Sequence, residues 1–503
     1  MPITGLQYDS LRTVLQYIEA NKRFCLSQRL PAIRFAEKAV PLKIDYLQFD
    51  DFGVTVNKTS YSLAVYRDFH QGSDYFQKEK DEDGIQFDLD QYGFQLQMNK
   101  TDLVPGEVIF GGVRVENHNF NGNQLHIPIT FPWSSQKHDM TMRRCYDKHL
   151  ELFQIALKTR LDQGNSVRGM EVLNSFPVMT KMFSDDELVR GELTAKELKI
   201  KLSYLNCVQT SSLKILSHHL RRCLQPFDCL HNNKPLPFTP LIQLTIKREG
   251  QEKQIERYPY TMKLHEAIRK LSWLMFGGRK SVVQVHNFPF IDESITLRIP
   301  KGLKIRVRKL RFKENMNGRL EALNNLIDDS SYPLKKFSTL HEREEIDHFA
   351  HHALTSAQQI VLEGAAPPNI NLLLNLRNKV VHFKYIWSPD FSIEELLTFA
   401  QNIIKAGSPV GAQRSFRMSN EVSIKTLLNR VAEQFNLIRS NRGASIRMGN
   451  ETKLNISYKF AKCCKEDNLQ MKNWVLKMTV VPGLSLSSFF EKLKKLKITD
   501  GTL

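Results

Sequence analysis

Between Ser281 and Met418, short β-patterned runs alternate with helix-patterned runs at a nearly regular spacing, and this limits the possible architecture more than any other feature. The β-like runs are Val282–Val285, Lys304–Leu310, Leu334–Leu340, Gln358–Leu362, Val380–Ile386 and Gln413–Met418. Between the later runs, apolar residues recur at helical intervals: Leu320, Leu323, Leu326 and Ile327, then Ile370, Leu373, Leu374 and Leu376, then Ile393, Leu396, Leu397, Ile403 and Ile404. The β-run centres lie roughly 23 to 32 residues apart, enough for one strand and one helix per unit. One strand and one helix cannot bury their apolar faces alone, so such units must pack on one another.

Two architectures satisfy this spacing. One is an irregular, leucine-rich-repeat-like array, without a regular asparagine ladder, whose stacked units leave a curved face open to a partner. The other is a single α/β domain with a mostly parallel sheet. Both place the chain in the α/β class.

Length allows about three domains, and the composition, 41% hydrophobic and 25% charged, is that of an ordinary globular chain. Met1 to Gly5 is not a basic stretch leading into an apolar one, and no apolar run reaches about 18 residues. No membrane span and an intracellular location, cytoplasmic or nuclear, are therefore expected. The seven cysteines are sparse and odd in number, which fits reduced thiols. A net charge of +18 favours an acidic partner, either nucleic acid or a protein surface.

Residues 1–40 read as a helical unit. Asp9 or Ser10 can cap a helix carrying Leu11, Val14, Leu15 and Ile18, and Phe24, Leu26, Leu30 and Ile33 form a second apolar set interrupted at Pro31. Such helices are too small to fold alone and must pack on a neighbour. The run from Leu6 through Leu11, Val14, Leu15 and Ile18, followed by Leu26-Ser27-Gln28-Arg29-Leu30, resembles an F-box. The resemblance implies that Leu6, Leu11, Val14, Leu15, Ile18, Leu26 and Leu30 contact a Skp1-type adaptor of a cullin ubiquitin ligase. Further blocks at Pro41–Leu47, Tyr61–Arg67, Gly84–Gly93, Leu103–Val108, Tyr260–Leu264, Leu274–Lys280 and Leu323–Leu334 are similar to the nematode F-box C group, a Caenorhabditis-expanded family of uncharacterised domains.

The expected organisation is thus F-box-like helices at 1–40, a β-rich domain at 41–115, and a linker with a helical insertion at 116–235. An α/β, leucine-rich-repeat-like array follows at 236–482, and a basic helix at 483–503. Alternating apolar residues such as Ile44, Val54, Val56, Leu63, Val65, Ile85 and Phe87, separated by turns at Asp83-Gly84 and Pro105-Gly106, mark the β-rich part. Leu150, Phe153, Ala156, Leu157 and Leu161 mark a helix of the insertion, with further helices expected at 184–201 and 209–224. Trp474–Val481 reads as the last strand, and Leu486, Phe489, Phe490, Leu493 and Leu496 as a helix capping the core.

Two clusters carry potential chemistry. His218, His219, Cys223, Cys229 and His231 lack the paired spacing of structural zinc sites, so no metal is expected there. From Ile268 to Lys313 there are 12 Lys or Arg against two acids. Lys304, Arg306 and Arg308 alternate with apolar residues and define a cationic strand face that could bind anions, nucleic acid included. No phosphate loop, dinucleotide fingerprint or nucleophile elbow occurs, and Phe276-Gly277-Gly278 reads as a helix C-cap turning into a strand. The expectation is a non-enzymatic F-box-like recognition protein, without cofactor, that binds an adaptor and an unknown target protein. The alternatives are a nucleic-acid-binding module or a scaffold diverged away from adaptor binding.

Overall fold

The computed structural model describes residues 8–70, 84–94, 96, 107–109, 136–162, 194–205, 217, 221, 224–290, 296–312, 319–341, 351–364, 376–385, 392–418, 420–449, 452–460 and 474–483. The helices include α1 (Tyr8–Tyr17), α2 (Ala20–Arg29), α3 (Arg34–Ala39), α4 (Gln136–Asp162), α5 (Ala195–Leu205), α6 (Leu264–Phe276), α7 (Arg319–Leu323), α8 (His352–Thr355), α9 (Ile393–Lys405) and α10 (Glu421–Gln434). The early strands are β1 (Lys43–Asp50), β2 (Gly53–Val56), β3 (Thr59–Phe69), β4 (Val108–Ile109), β5 (Phe238–Arg248) and β6 (Gln254–Pro259). The later ones are β7 (Val283–Phe290), β8 (Thr296–Leu297), β9 (Ile305–Phe312), β10 (Lys336–His341), β11 (Gln359–Gly364), β12 (Val380–Tyr385), β13 (Gln413–Met418), β14 (Gly443–Arg447), β15 (Thr452–Phe460) and β16 (Trp474–Pro482).

A 14-stranded sheet runs β14-β15-β16-β13-β12-β11-β10-β9-β7-β1-β2-β3-β5-β6, and the fold is α/β as expected. Every pair from β1 to β13 is parallel. From β7 to β13 the strands follow one another in chain order, which is how stacked units are arranged; a doubly wound sheet would reverse at a switch point. Antiparallel strands close both ends: β16, β15 and β14 beyond β13, and β2, β3, β5 and β6 beyond β1. Here the expected boundaries need correction. The segments at 41–115 and 236–482 share this one sheet, because β1 pairs with β7 and β3 with β5 along its full length. The helix expected at 483–503 lies outside the described residues.

Along the parallel strands the buried side chains form three columns. The first holds Ile44, Val285, Val307, Leu334 and Ala357; the second Leu47, Phe288, Leu310, Phe337, Ile360 and Val381; the third Phe49, Phe312, Leu362, Phe383 and Phe416. The first and second columns are three residues apart and the second and third two, so strict alternation breaks between them. In β9, Ile305 and Val307 are buried and so are Leu310 and Phe312, which leaves Arg308 and Lys309 as consecutive residues outside the core.

Buried side chains tie successive units together. Asn378 Nδ2 donates to the carbonyls of Leu354, Thr355 and Ala357 in the unit before it, at 2.8, 3.2 and 2.7 Å. One unit further on, Arg414 donates to the carbonyls of Leu376 (2.7 Å) and Asn378 (2.9 Å). In both cases turn carbonyls that no strand can pair are satisfied from the next unit.

Helix α6 is where the separate segments meet. Asp88 accepts from its first amide, Leu264 N (2.5 Å), and from the Tyr260 hydroxyl (2.6 Å), so a carboxylate caps the positive end of the helix. Glu107 accepts from Arg269 Nε (2.8 Å) on the helix and from Arg298 Nη1 (2.7 Å). At the other end Gly277 is the C-cap, and Gly278, at φ +69°, turns the chain toward β7 as the sequence suggests. A side chain at Gly278 would have to adopt a left-handed conformation that only glycine enters without strain.

Candidate functional site

The N-terminal helices form one small unit. Leu15 is 1% exposed and packs with Ala36 and Val40 of the α3 end, while Leu11 and Ile18, half-buried, lie against the same cluster. Positions 11, 15 and 18 fall on one helix face, so the stripe expected to meet an adaptor closes the unit instead. This corrects the assignment of Leu15 as an adaptor contact and reduces Leu11 and Ile18 to half-exposed ones. Leu26 is half-buried, Val14 and Leu30 are exposed, and Leu6 lies outside the described residues. The large apolar side chains left exposed on the unit are Tyr8, Val14, Tyr17 (85%), Leu30 and Phe35 (70%). Tyr8, Tyr17 and Phe35 are absent from the sequence expectation, although aromatic residues off the apolar stripe of a short helix were the available signal.

The unit is locked onto α6. Glu37, fully buried, accepts from Arg23 Nε (3.1 Å) and from Arg279 at both carboxylate oxygens (2.8 and 3.1 Å). Arg23 also donates to the carbonyls of Glu37, Val40 and Pro41, and Arg279 to that of Met275. Lys38 Nζ donates to Leu274 O (2.7 Å) and Met275 O (3.1 Å) at the C-terminal end of α6, where a cation suits the helix dipole. Burial, with Arg279 beside it, pulls the Lys38 amine down to about 8 even though Glu37 pulls the other way.

The second surface is the outer face of the parallel strands. Lys304, Arg306 and Arg308 are exposed, as expected, but they do not converge. Lys304 and Arg306 flank Asp328, whose carboxyl is held below its usual range by Ser330 hydrogen bonds and by these two cations. Arg308 lies near His286, whose imidazole is pushed down by burial and then by Lys309 and Arg308. A tighter cationic group follows the break in alternation. Lys309 on β9 is the direct cross-strand partner of Lys336 on β10, and Arg311 reaches across to Glu363 on β11 (2.9 Å), itself opposite Lys384 on β12. Burial pushes the Lys336 amine down; Glu363 opposes this and Lys309, Arg311 and Lys384 reinforce it. His382, hydrogen-bonded to Ser415, is pushed down by burial, with Lys336 and Lys477 adding to the effect.

Other readings find less support in the geometry. Among the described residues no group of three or more His, Cys, Asp or Glu is placed to hold a metal. Cys229 is a buried thiol near Gln225 Nε2 (3.5 Å) and Pro235 O (3.8 Å), His231 is exposed, and His218, His219 and Cys223 lie outside the described residues. No helix among the described residues is long and apolar enough to cross a membrane.

Comparison with known proteins adds one match. The model of a domain of unknown function, DUF3557, matches residues 263–420, which run from the residue before α6 to just past β13 and so take in the parallel array with its hub helix. No curated protein matches the chain.

Proposed function

We propose that the chain is a non-enzymatic recognition scaffold of the F-box type, acting inside the cell. Its N-terminal unit docks a Skp1-type adaptor, and the outer face of the parallel array holds a target protein for ubiquitination. The observation that carries this reading is the contrast within α1 to α3. The unit is rigidly bonded to α6 through a buried Arg23–Glu37–Arg279 network, yet it leaves Tyr8, Val14, Tyr17, Leu30 and Phe35 in solvent. Folding gains nothing from exposing such side chains, whereas aromatic anchors on a rigid base favour association.

Binding of a Skp1-type adaptor to the purified chain tests the reading. Tyr17→Asp and Phe35→Asp should each weaken binding about tenfold or more, because both side chains are exposed and a charge there disrupts an apolar contact without entering the core. Leu15→Asp is unsuitable, since it would bury a charge inside the unit itself. Absence of binding by the folded wild type, or binding as tight as wild type by both variants, would overturn the adaptor reading. A nucleic-acid module built on Lys304, Arg306 and Arg308 is less well supported, because Asp328 already offsets two of these cations.

A further inference from the structure

The arrangement around Lys336 costs the fold stability. Like charges directly opposite on neighbouring strands repel, yet Lys309 and Lys336 occupy such a pair. Half-burying an ammonium is unfavourable unless an opposite charge compensates it, and the acid within reach, Glu363, already binds Arg311 at 2.9 Å. Neither Lys309, Lys336 nor Lys384 makes an ion pair with a described residue. Arg311 Nε is enclosed and has no hydrogen-bond partner among the described residues, while the side chain as a whole is 41% exposed. A surface with this excess of donors and positive charge is completed by an anion.

We propose that this face binds a phosphate monoester carried on an extended segment of the target protein, with Lys309, Arg311, Lys336 and Lys384 as its contacts. The proposal rests on the reading of the array as the target-binding surface. Three features select this ligand. The four cations lie within a run of four adjacent strands about 4.8 Å apart, Lys309 and Arg311 on β9, Lys336 on β10 and Lys384 on β12, a compact patch rather than a long track. A phosphate monoester brings close to two negative charges and three acceptor oxygens, enough to engage both an Arg fork and ammonium groups. A nucleic-acid strand would need cations repeated along its backbone and aromatic faces for its bases. On β1, beyond β7 in the sheet, Tyr46 has its hydroxyl bonded to Gln48 (2.6 Å).

The test uses the full chain at moderate salt with four probes: a randomised peptide library with a fixed phosphoserine, the same library with serine, the same with aspartate, and a mixed-sequence single-stranded RNA. The phosphoserine library should be retained about tenfold or more over the serine library, and Lys336→Gln should abolish that preference. The Lys304→Gln/Arg306→Gln double variant should keep it. Lys336→Gln removes a desolvated like charge, so it should melt at or above the wild-type temperature; if it fails to fold, Lys384→Gln replaces it in the same assay. Equal retention of the serine and phosphoserine libraries, or a preference that survives loss of Lys336, would overturn the proposal. So would RNA retained above every peptide through the same lysine. Adaptor binding by Lys336→Gln should match wild type, so failure of the adaptor reading and failure of this one are separate results.

Discussion

Lys38 and Lys309 show how single residues carry more than their type announces. Lys38 joins the N-terminal unit to α6 through two carbonyls, and its amine is lowered from 10.5 to about 8. The unfolded chain therefore binds more protons than the folded one between those two values, and this lysine's contribution to stability rises as pH climbs through that window. Relative to Lys38→Met, the wild type should gain on the order of 1 kcal/mol between about pH 8 and about pH 10, read from urea midpoints. Lys309 marks a limit of sequence reading. Alternation along β9 picks out Lys304, Arg306 and Arg308, but the break after Val307 hands the outer face of the strand to Lys309 and Arg311. A period of two cannot register that break; the three-then-two spacing of Val307, Leu310 and Phe312 can.

At the scale of elements, the parallel strands were legible because each is a compact apolar run bounded by polar turns. The run Gln413–Met418 coincides with β13, and those at Lys304 and Val380 lie within two residues of β9 and β12 at either end. Less legible were α10, β14 and β15. Residues 443–447 and 452–460 alternate buried and exposed positions, as in Leu454, Ile456 and Tyr458, but the interspersed Ser, Asn and Lys dilute the signal. Nor does sequence show which side chain links one unit to the next. Asn378 and Arg414 do equivalent work with different chemistry, so no repeated letter marks it. Asn378→Ala removes a donor shared by the carbonyls of Leu354, Thr355 and Ala357 and should cost about 1–3 kcal/mol in chemical denaturation. Asn378→Leu should cost at least as much, since it leaves the same carbonyls unpaired.

Across the whole molecule, segments distant in sequence meet at one helix. Asp88, Glu107, Glu37 and Lys38 each grip α6 or the turn after it, at separate points along its length. None of these long-range pairings is visible in periodicity, because a buried carboxylate and its arginine lie up to 242 residues apart. Glu37→Ala would leave Arg23 and Arg279 as buried, unpaired cations and should cost about 3–5 kcal/mol. Hydrogen exchange should show the loss first in α1 to α3, with the strands β9 to β12 protected longer.

The clamp between the N-terminal unit and α6 also makes the molecule a ruler. A flexible joint would let two bound partners sample many separations, with their encounter governed by tether length. Here the Arg23–Glu37–Arg279 bonds fix the origin of the scale, and the row of parallel strands supplies its graduations. On the proposed reading, an adaptor on the helices would meet only those parts of a target on the strands that the spacing brings within reach, and adding or deleting one strand-and-helix unit would move that mark by a single step.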